Sequence, residues 1–291
     1  MADERRNWLT GALDAHVHAA PSFFPRWGDG VDVVAACAAV GMAGVLLKAH
    51  EGSTTESAAV LDRTSATLRV FGGVVLNRYV GGLNPAAVEA ALRLGARCVW
   101  FPTLDADAHA RAFGSTGAYP AQRGGLESPS GIRILDEDGR LVREAREVLA
   151  LVAEHDVLVA TGHLSAEEVH ALVGAAVDAG CRRLLVQHVA FPVPDLSLEA
   201  LEPLVRRGAV VELTYLSVSP MWRASTVEQA ARLLQRLGGD NVVLSSDAGQ
   251  SHNPSPPEAL RSFAQAVHEC GASAEDVAKA VGETPRRLVE P

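Results

Sequence analysis

Leu13-Asp14-Ala15-His16-Val17-His18 is the stretch that decides how this 291-residue chain is read. It is a short apolar run that ends in His-x-His. Residues two apart on a strand share a face, so a strand over about 11–17 aims His16 and His18 to one side, about 7 Å apart along its axis. Two imidazoles on one side of a strand end can share one metal ion. A lone His-x-His is a weak signal. It gains weight from Lys48, His163, His188 and Asp247, each of which stands at the end of its own apolar run.

Working outward, the chain alternates short β-branched runs with longer Ala/Leu/Glu/Arg-rich segments. After the first strand, the pattern predicts strands near 44–50, 70–76, 98–102, 157–161, 183–187, 209–214 and 241–246. Helices are expected near 31–41, 53–65, 84–94, 142–154, 165–179, 197–207, 225–237, 256–269 and 273–281. Ser53 with Glu56 and Ser165 with Glu168 have capping-box spacing, and Asn84-Pro85 forms a cap followed by a first-turn proline. The strands are continuous apolar runs, as expected for parallel strands covered on both faces. Eight strand-then-helix units predict an α/β fold, a (β/α)8 TIM barrel, with residues 1–291 as a single domain. A doubly wound open sheet is the runner-up, weakened by the lack of a Gly-x-Gly-x-x-Gly turn after the first strand. The period breaks over about 104–140, a segment rich in Gly, Pro, Ser and charge. An ordered lid is expected there after strand four, with a small hairpin over 131–142.

Composition narrows the function classes. The formal net charge is −9, which argues against nucleic acid and against a polybasic membrane patch. The N-terminus leads into no long apolar segment, and neither a signal peptide nor a membrane span is expected. Cys37, Cys98, Cys181 and Cys270 are widely spread with no Cys-x-x-Cys pair, which reads as reduced thiols in a cytoplasmic protein. Lysine occurs only at Lys48 and Lys279. The partner expected is a small-molecule substrate; self-association into a homo-oligomer stays open.

In a (β/α)8 barrel the C-terminal strand ends converge on one mouth. His16, His18, Lys48, His50, His163, His188 and Asp247 would meet there although they span some 230 residues of sequence. Imidazoles with a carboxylate suit Zn²⁺ or a similar divalent ion, one or two in number. His50, Arg78, Tyr79 and Tyr215 are candidate substrate-binding groups, with Arg78 able to hold a carboxylate in a fork. Trp27, Trp100, Phe101 and Trp222 are candidate pocket walls. His109, His155, His170, His252 and His268 are assigned no chemistry.

The combination of His16-x-His18, His163, His188 and Asp247 within Leu244-Ser245-Ser246-Asp247 resembles the amidohydrolase superfamily of metal-dependent (β/α)8 hydrolases. The resemblance covers nearly the whole chain. It implies that these five residues are metal ligands after strands one, five, six and eight. It also implies that the closing stretch from Val277 to Leu288 is a helix packed under the barrel. One departure stands out. Binuclear relatives carry a carboxylated lysine or a glutamate after strand four, whereas Val99-Trp100-Phe101-Pro102-Thr103 has neither. Lys48, on an apolar second strand, is therefore a candidate ligand as a bridging carbamate, or a base or electrostatic group if its pKa is depressed. The reaction implied is hydrolysis of an amide, cyclic amide or lactone, with Asp247 ligating metal and taking the proton of the attacking water. A non-oxidative decarboxylase of the same superfamily is the alternative. A His-rich phosphoesterase fits less well, and a catalytically silent metal-binding barrel is the non-enzyme reading.

Overall fold

Eight parallel strands follow one another in space as they do in sequence. The computed structural model describes residues 6–119, 124–127 and 130–291. The strands are β1 (Leu13–Val17), β2 (Gly44–Leu47), β3 (Arg69–Phe71 and Gly73–Val75, two segments either side of Gly72), β4 (Cys98–Trp100), β5 (Leu158–Ala160), β6 (Leu184–Val186), β7 (Ala209–Thr214) and β8 (Val242–Ser245). Each pairs in parallel with the next, β3 using its first segment towards β2 and its second towards β4. The ring closes between β8 and β1. Asp247 N donates to His16 O at 2.9 Å, His18 N donates to Ala248 O at 2.8 Å, and Val17 bridges Ala248 in parallel. The result is the (β/α)8 barrel that the eightfold alternation predicts.

Two layers of apolar side chains explain why the strands carry no polar alternation. Leu13, Ala15, Leu46, Trp100, Leu158 and Val210 belong to the cluster that fills the barrel. Val17, Val45 and Val99 pack outward against helix residues such as Val33, Val148 and Leu234. Leu288 and Val289, on the helix Thr284–Val289, join the inner cluster. Arg97 donates to Val289 O at 2.9 Å and Arg183 to Leu288 O at 3.2 Å, which caps the carbonyls of that last helix.

Local signals behave as their chemistry requires, with instructive exceptions. Asn84 and Ser165 cap their helices, Ser165 through a full capping box with Glu168. Ser53 stands one residue ahead of the N-cap, where its hydroxyl accepts from Thr55 N at 3.1 Å and donates to Glu56 at 2.9 Å. The helix starts at Thr55 with Thr54 at the N-cap, and the Thr54 hydroxyl instead donates to Leu47 O at 2.7 Å and accepts from Gly73 N at 3.0 Å. That hydroxyl ties β2 to β3, a tertiary demand that outweighs local capping. A Cβ on Gly72 would overlap the Thr54 backbone, so the gap in β3 is where this loop presses on the strand. Within the insertion the chain forms an unexpected helix, Asp107–Phe113. The expected hairpin is reduced to one antiparallel bridge, Leu135 with Leu141, turned through Gly139 at φ +74°. Part of the insertion, 120–123 and 128–129, lies outside the described residues.

Candidate metal centre

The position of the His-x-His pair depends on an irregularity in β1. Asp14 pairs with Val45 but Val17 pairs with Leu47, so β1 carries one extra residue between them. With Leu13 and Ala15 facing the barrel interior, strict alternation would turn His16 out among the helices. The bulge reverses the parity and leaves Val17 outside while His16 faces in. Asp14 pins this arrangement: its Oδ1 accepts from His16 N at 3.2 Å and from Ser246 N at 3.0 Å, joining the ends of β1 and β8.

Donor atoms of His16, His18 and Asp247 lie within 4.8 Å of one another, as do those of His16, His188 and Glu212. His16 Nε2 and His18 Nε2 are each 3.2 Å from Asp247 Oδ1, and His188 Nε2 is 3.7 Å from Oδ2. All are buried. His188 and Asp247 adopt φ of +54° and +48°, the left-handed region that non-glycine residues rarely enter. Each such residue costs on the order of 1–3 kcal/mol, held by the surrounding structure.

Hydrogen bonds fix two of the ring tautomers. Glu212 Oε1 lies 3.1 Å from His16 Nδ1, so that nitrogen carries the proton and Nε2 presents its lone pair to the cluster. Gln187 donates to Glu212 Oε2 at 3.2 Å and holds the carboxylate in place. On the opposite side, His109 Nε2 must donate to Ala118 O at 3.0 Å, because a carbonyl only accepts. Neutral His109 therefore accepts at Nδ1, and His163 Nδ1, 3.1 Å away, donates to it. That leaves the His163 Nε2 lone pair unprotonated, as a ligand or base requires.

Electrostatics agree with this assignment. Burial holds His16, His18, His50 and His163 well below the ordinary imidazole range, and brings His109 to about 4 and His188 to about 3. All are neutral donors at pH 7. The same burial raises the Glu212 and Asp247 carboxyls and lowers the Lys48 amine, against the pull of Asp247 and Glu212 on that amine. Neutral imidazole nitrogens turned towards a buried carboxylate are satisfied together by a cation between them. The donor set of nitrogens and carboxylate oxygen therefore fits a divalent ion, with His16, His18, His188 and Asp247 as the residues that would hold it.

The remaining expected residues divide. His163 and His50 line the cavity beside the cluster, His50 stacked on His18 at 4.7 Å and bonded through Nδ1 to Thr103 Oγ1 at 2.9 Å. His163 stands outside both donor groups, with its ring 5.2 Å from that of His188. Lys48 Nζ lies 3.1 Å from His16 Nε2. Arg78, Tyr79 and Tyr215 do not line this cavity. Arg78 is engaged instead by Asp105 and by the Leu126 carbonyl, and Tyr79 meets the edge of Phe23. Trp222 lines the cavity, whereas Trp100 lies beneath Lys48 in the barrel and Trp27 is exposed.

Several lining or supporting groups were not anticipated: Gln187, His109, Arg26 and Tyr119, whereas Glu212 falls in the stretch 212–215 that ends the seventh strand, where further mouth residues are expected. Glu212 leaves a trace in the sequence, a lone acid inside the apolar run Ala209-Val210-Val211-Glu212-Leu213. His109, Arg26 and Tyr119 sit on loops or in the insertion, where no periodicity points inward. Tyr119 gives the insertion a side chain in the cavity wall, together with Phe24, Leu216 and Trp222. The strictly enclosed space is about 20 Å³, within about 340 Å³ of empty space that includes open solvent.

Comparison with known proteins places the chain. Residues 11–212 match the family described as "Family of unknown function (DUF6282)". The chain belongs to that family. The matched span contains His16, His18, His163, His188 and Glu212, and Asp247 lies beyond it. No curated protein matches the chain in sequence. Among solved structures, an amidohydrolase from Pseudomonas aeruginosa is similar at TM-score 0.63 and 13% identity, over 97% of this chain and 96% of that one. A Xaa-Pro dipeptidase with methionine bound in its active site is similar at TM-score 0.59 and 15% identity, over 96% and 75%. An organophosphorus hydrolase from Deinococcus radiodurans is similar at TM-score 0.58 and 12% identity, over 97% and 93%. The chain thus has the fold of amidohydrolase-superfamily structures. Among the described residues, no helix is long and apolar enough to cross a membrane.

Proposed function

We propose that this protein is a metal-dependent hydrolase that cleaves a small-molecule amide, cyclic amide or lactone. The observation that carries this reading is the convergence of three imidazole Nε2 atoms on Asp247, at 3.2, 3.2 and 3.7 Å, from β1, β6 and β8. A divalent ion there, for which zinc suits the nitrogen and oxygen donors, supplies Lewis-acid polarisation of a carbonyl and acidifies water. Asp247, which faces His16, His18 and His188, can take the proton of an attacking water and return it to the leaving nitrogen or oxygen. His163, held as a lone-pair donor by His109, lies beside the same cavity as a second proton acceptor or ligand. Phe24, Tyr119 and Trp222 keep bulk water out, which strengthens each of these interactions. The unpaired cysteines support a cytoplasmic location.

The test is elemental analysis with a panel of amides, esters and lactones, on the wild type and on the His16→Ala/His18→Ala double variant. Stoichiometric metal and turnover in the wild type, both lost in the variant, are expected. Full metal retention in the double variant sinks the assignment, and metal without turnover of any panel member returns the catalytically silent barrel. Residues 99–103 lack a carboxylate or lysine, so a second ion would need Lys48 as its bridge, and a single ion supports a second reading, non-oxidative decarboxylation. Release of CO₂ from a small aromatic acid, without hydrolysis of the panel, would select it.

A further inference from the structure

Among the described residues, one positive charge in the cavity wall makes no hydrogen bond or ion pair through its side chain. Arg26 lines the cavity with His18, His50 and Asp247. Its Nε is shut off from solvent and has no hydrogen-bond partner. Arg26 makes none of the ion pairs found among the described residues, although Glu51 and Asp247 are near enough to act on it electrostatically. Glu51 spends Oε1 on Ser22 and on Phe23 N, at 2.6 and 2.8 Å, and its Oε2 is buried but not hydrogen-bonded to Arg26. Asp247 faces the histidines. The guanidinium carbon lies 5.6 Å from the centre of the Phe24 ring.

The backbone holds this arginine in place. Arg26 bridges Gln250 in antiparallel fashion, Trp27 N donates to Gly249 O at 2.7 Å, and Ser251 N donates to Pro25 O at 3.2 Å. Gln250 in turn donates to Asp247 O at 2.8 Å. The loop after β1 is thereby stitched to the loop that carries Asp247. The Arg26 side chain is half-buried, its Nε is shut off from solvent without a partner, and its planar fork matches a carboxylate. The other basic group at the centre, Lys48, is committed to His16. With Glu51 and Asp247 already acting on it, one guanidinium suits a monoanion better than a phosphate dianion.

We propose that Arg26 is a substrate-recognition residue that takes a carboxylate, so the molecule acted on is a small acid carrying its scissile group close to that carboxylate. This inference rests on the hydrolase reading above for the word substrate, but the binding it predicts can be measured without turnover.

The probes are benzoate, benzamide and phenyl phosphate, titrated calorimetrically into the full-length, metal-loaded protein, with metal content measured on the same samples. Wild type is expected to bind benzoate at least about tenfold more tightly than benzamide or phenyl phosphate. Arg26→Met should abolish that preference while retaining metal, and Arg26→Lys, which keeps the charge and loses the fork, should recover only part of it. An unchanged benzoate preference in Arg26→Met overturns the proposal, because the carboxylate would then sit on the metal alone. The wild type provides a test that needs no variant: equal or absent binding of benzoate and benzamide also overturns it, and preference for phenyl phosphate replaces the carboxylate by a phosphate ester. Loss of metal from the wild type with the Arg26-dependent preference intact would remove the hydrolase reading and leave the carboxylate site standing.

Discussion

Glu212 Oε1 lies 3.1 Å from His16 Nδ1, both side chains fully buried, and this contact turns the opposite nitrogen of His16 towards Asp247. A carboxylate behind an imidazole fixes the tautomer and raises the basicity of the ligand nitrogen. Glu212→Gln keeps the volume and removes the charge. Metal affinity is expected to fall roughly 10- to 100-fold, by the usual effect of such supporting groups. Competition with a chromogenic chelator measures it, and unchanged affinity would show that Glu212 supports the barrel without tuning the centre.

His109 joins the insertion to the barrel mouth. Its Nδ1 lies 3.1 Å from His163 Nδ1 and its ring stacks on that of His163 at 5.2 Å. His109→Phe preserves the stack and removes the acceptor. Nitrogen-resolved NMR of the imidazoles should then show His163 shifting between its two tautomers, where the wild type shows one, and turnover should drop by about 10- to 100-fold, below the roughly 100- to 10,000-fold that a lost general acid or base costs. A single unchanged His163 tautomer in the variant would sever the insertion from the chemistry.

Lys48 Nζ is 3.1 Å from His16 Nε2, the lone pair a metal would need. An ammonium there repels a divalent cation, so Lys48 must be neutral or converted to a carbamate when the centre is loaded. Burial already lowers its pKa, which makes the amine available to CO₂. With isotope-labelled bicarbonate and metal, the wild type is expected to show a carbamate carbon resonance that Lys48→Met lacks, and a second ion that the variant cannot hold. One ion and no carbamate signal in the loaded wild type would leave Lys48 as a neutral amine.

Far from the centre, Asp156 terminates the helix Arg143–His155 in the left-handed region, at φ +47°. The Arg182 hydrogen bond, reinforced by Arg183, holds its carboxyl below the ordinary range. A depressed folded-state pKa stabilises the fold above the unfolded value of about 4, and that contribution disappears as pH falls through the folded value. Asp156→Asn keeps the left-handed conformation accessible. Its melting temperature should therefore fall below that of the wild type at pH 7, with the gap closing as pH falls below about 4. A gap that persists at low pH would assign the effect to geometry alone.

How far the sequence reaches can be judged residue by residue. Continuous apolar runs placed eight strands to within a few residues, because parallel strands buried on both faces leave no polar alternation to misread. Asn84 and Ser165 could be identified as caps from their own chemistry, since capping is settled within one helical turn. His16, His18, His188 and Asp247 could be expected to meet, because a barrel gathers its strand ends at one mouth.

Only the tertiary structure decided what depends on partners distant in the chain. Strand periodicity could place His16 and His18 on one face, but the extra residue in β1 is what turned that face inward. Thr54 gave up its capping role to join β2 and β3. Glu212 became the partner of His16 across 196 residues, and His109 reached His163 from an insertion with no readable period. Arg26 was placed beside the centre, its Nε unpaired, where the loops after β1 and β8 are joined. Local propensity and apolar pattern are properties of neighbouring residues, so sequence alone determined the barrel and the strand ends. Orientation, tautomer and unpaired charge depend on which distant atoms finally touch, and only the folded chain supplies those contacts.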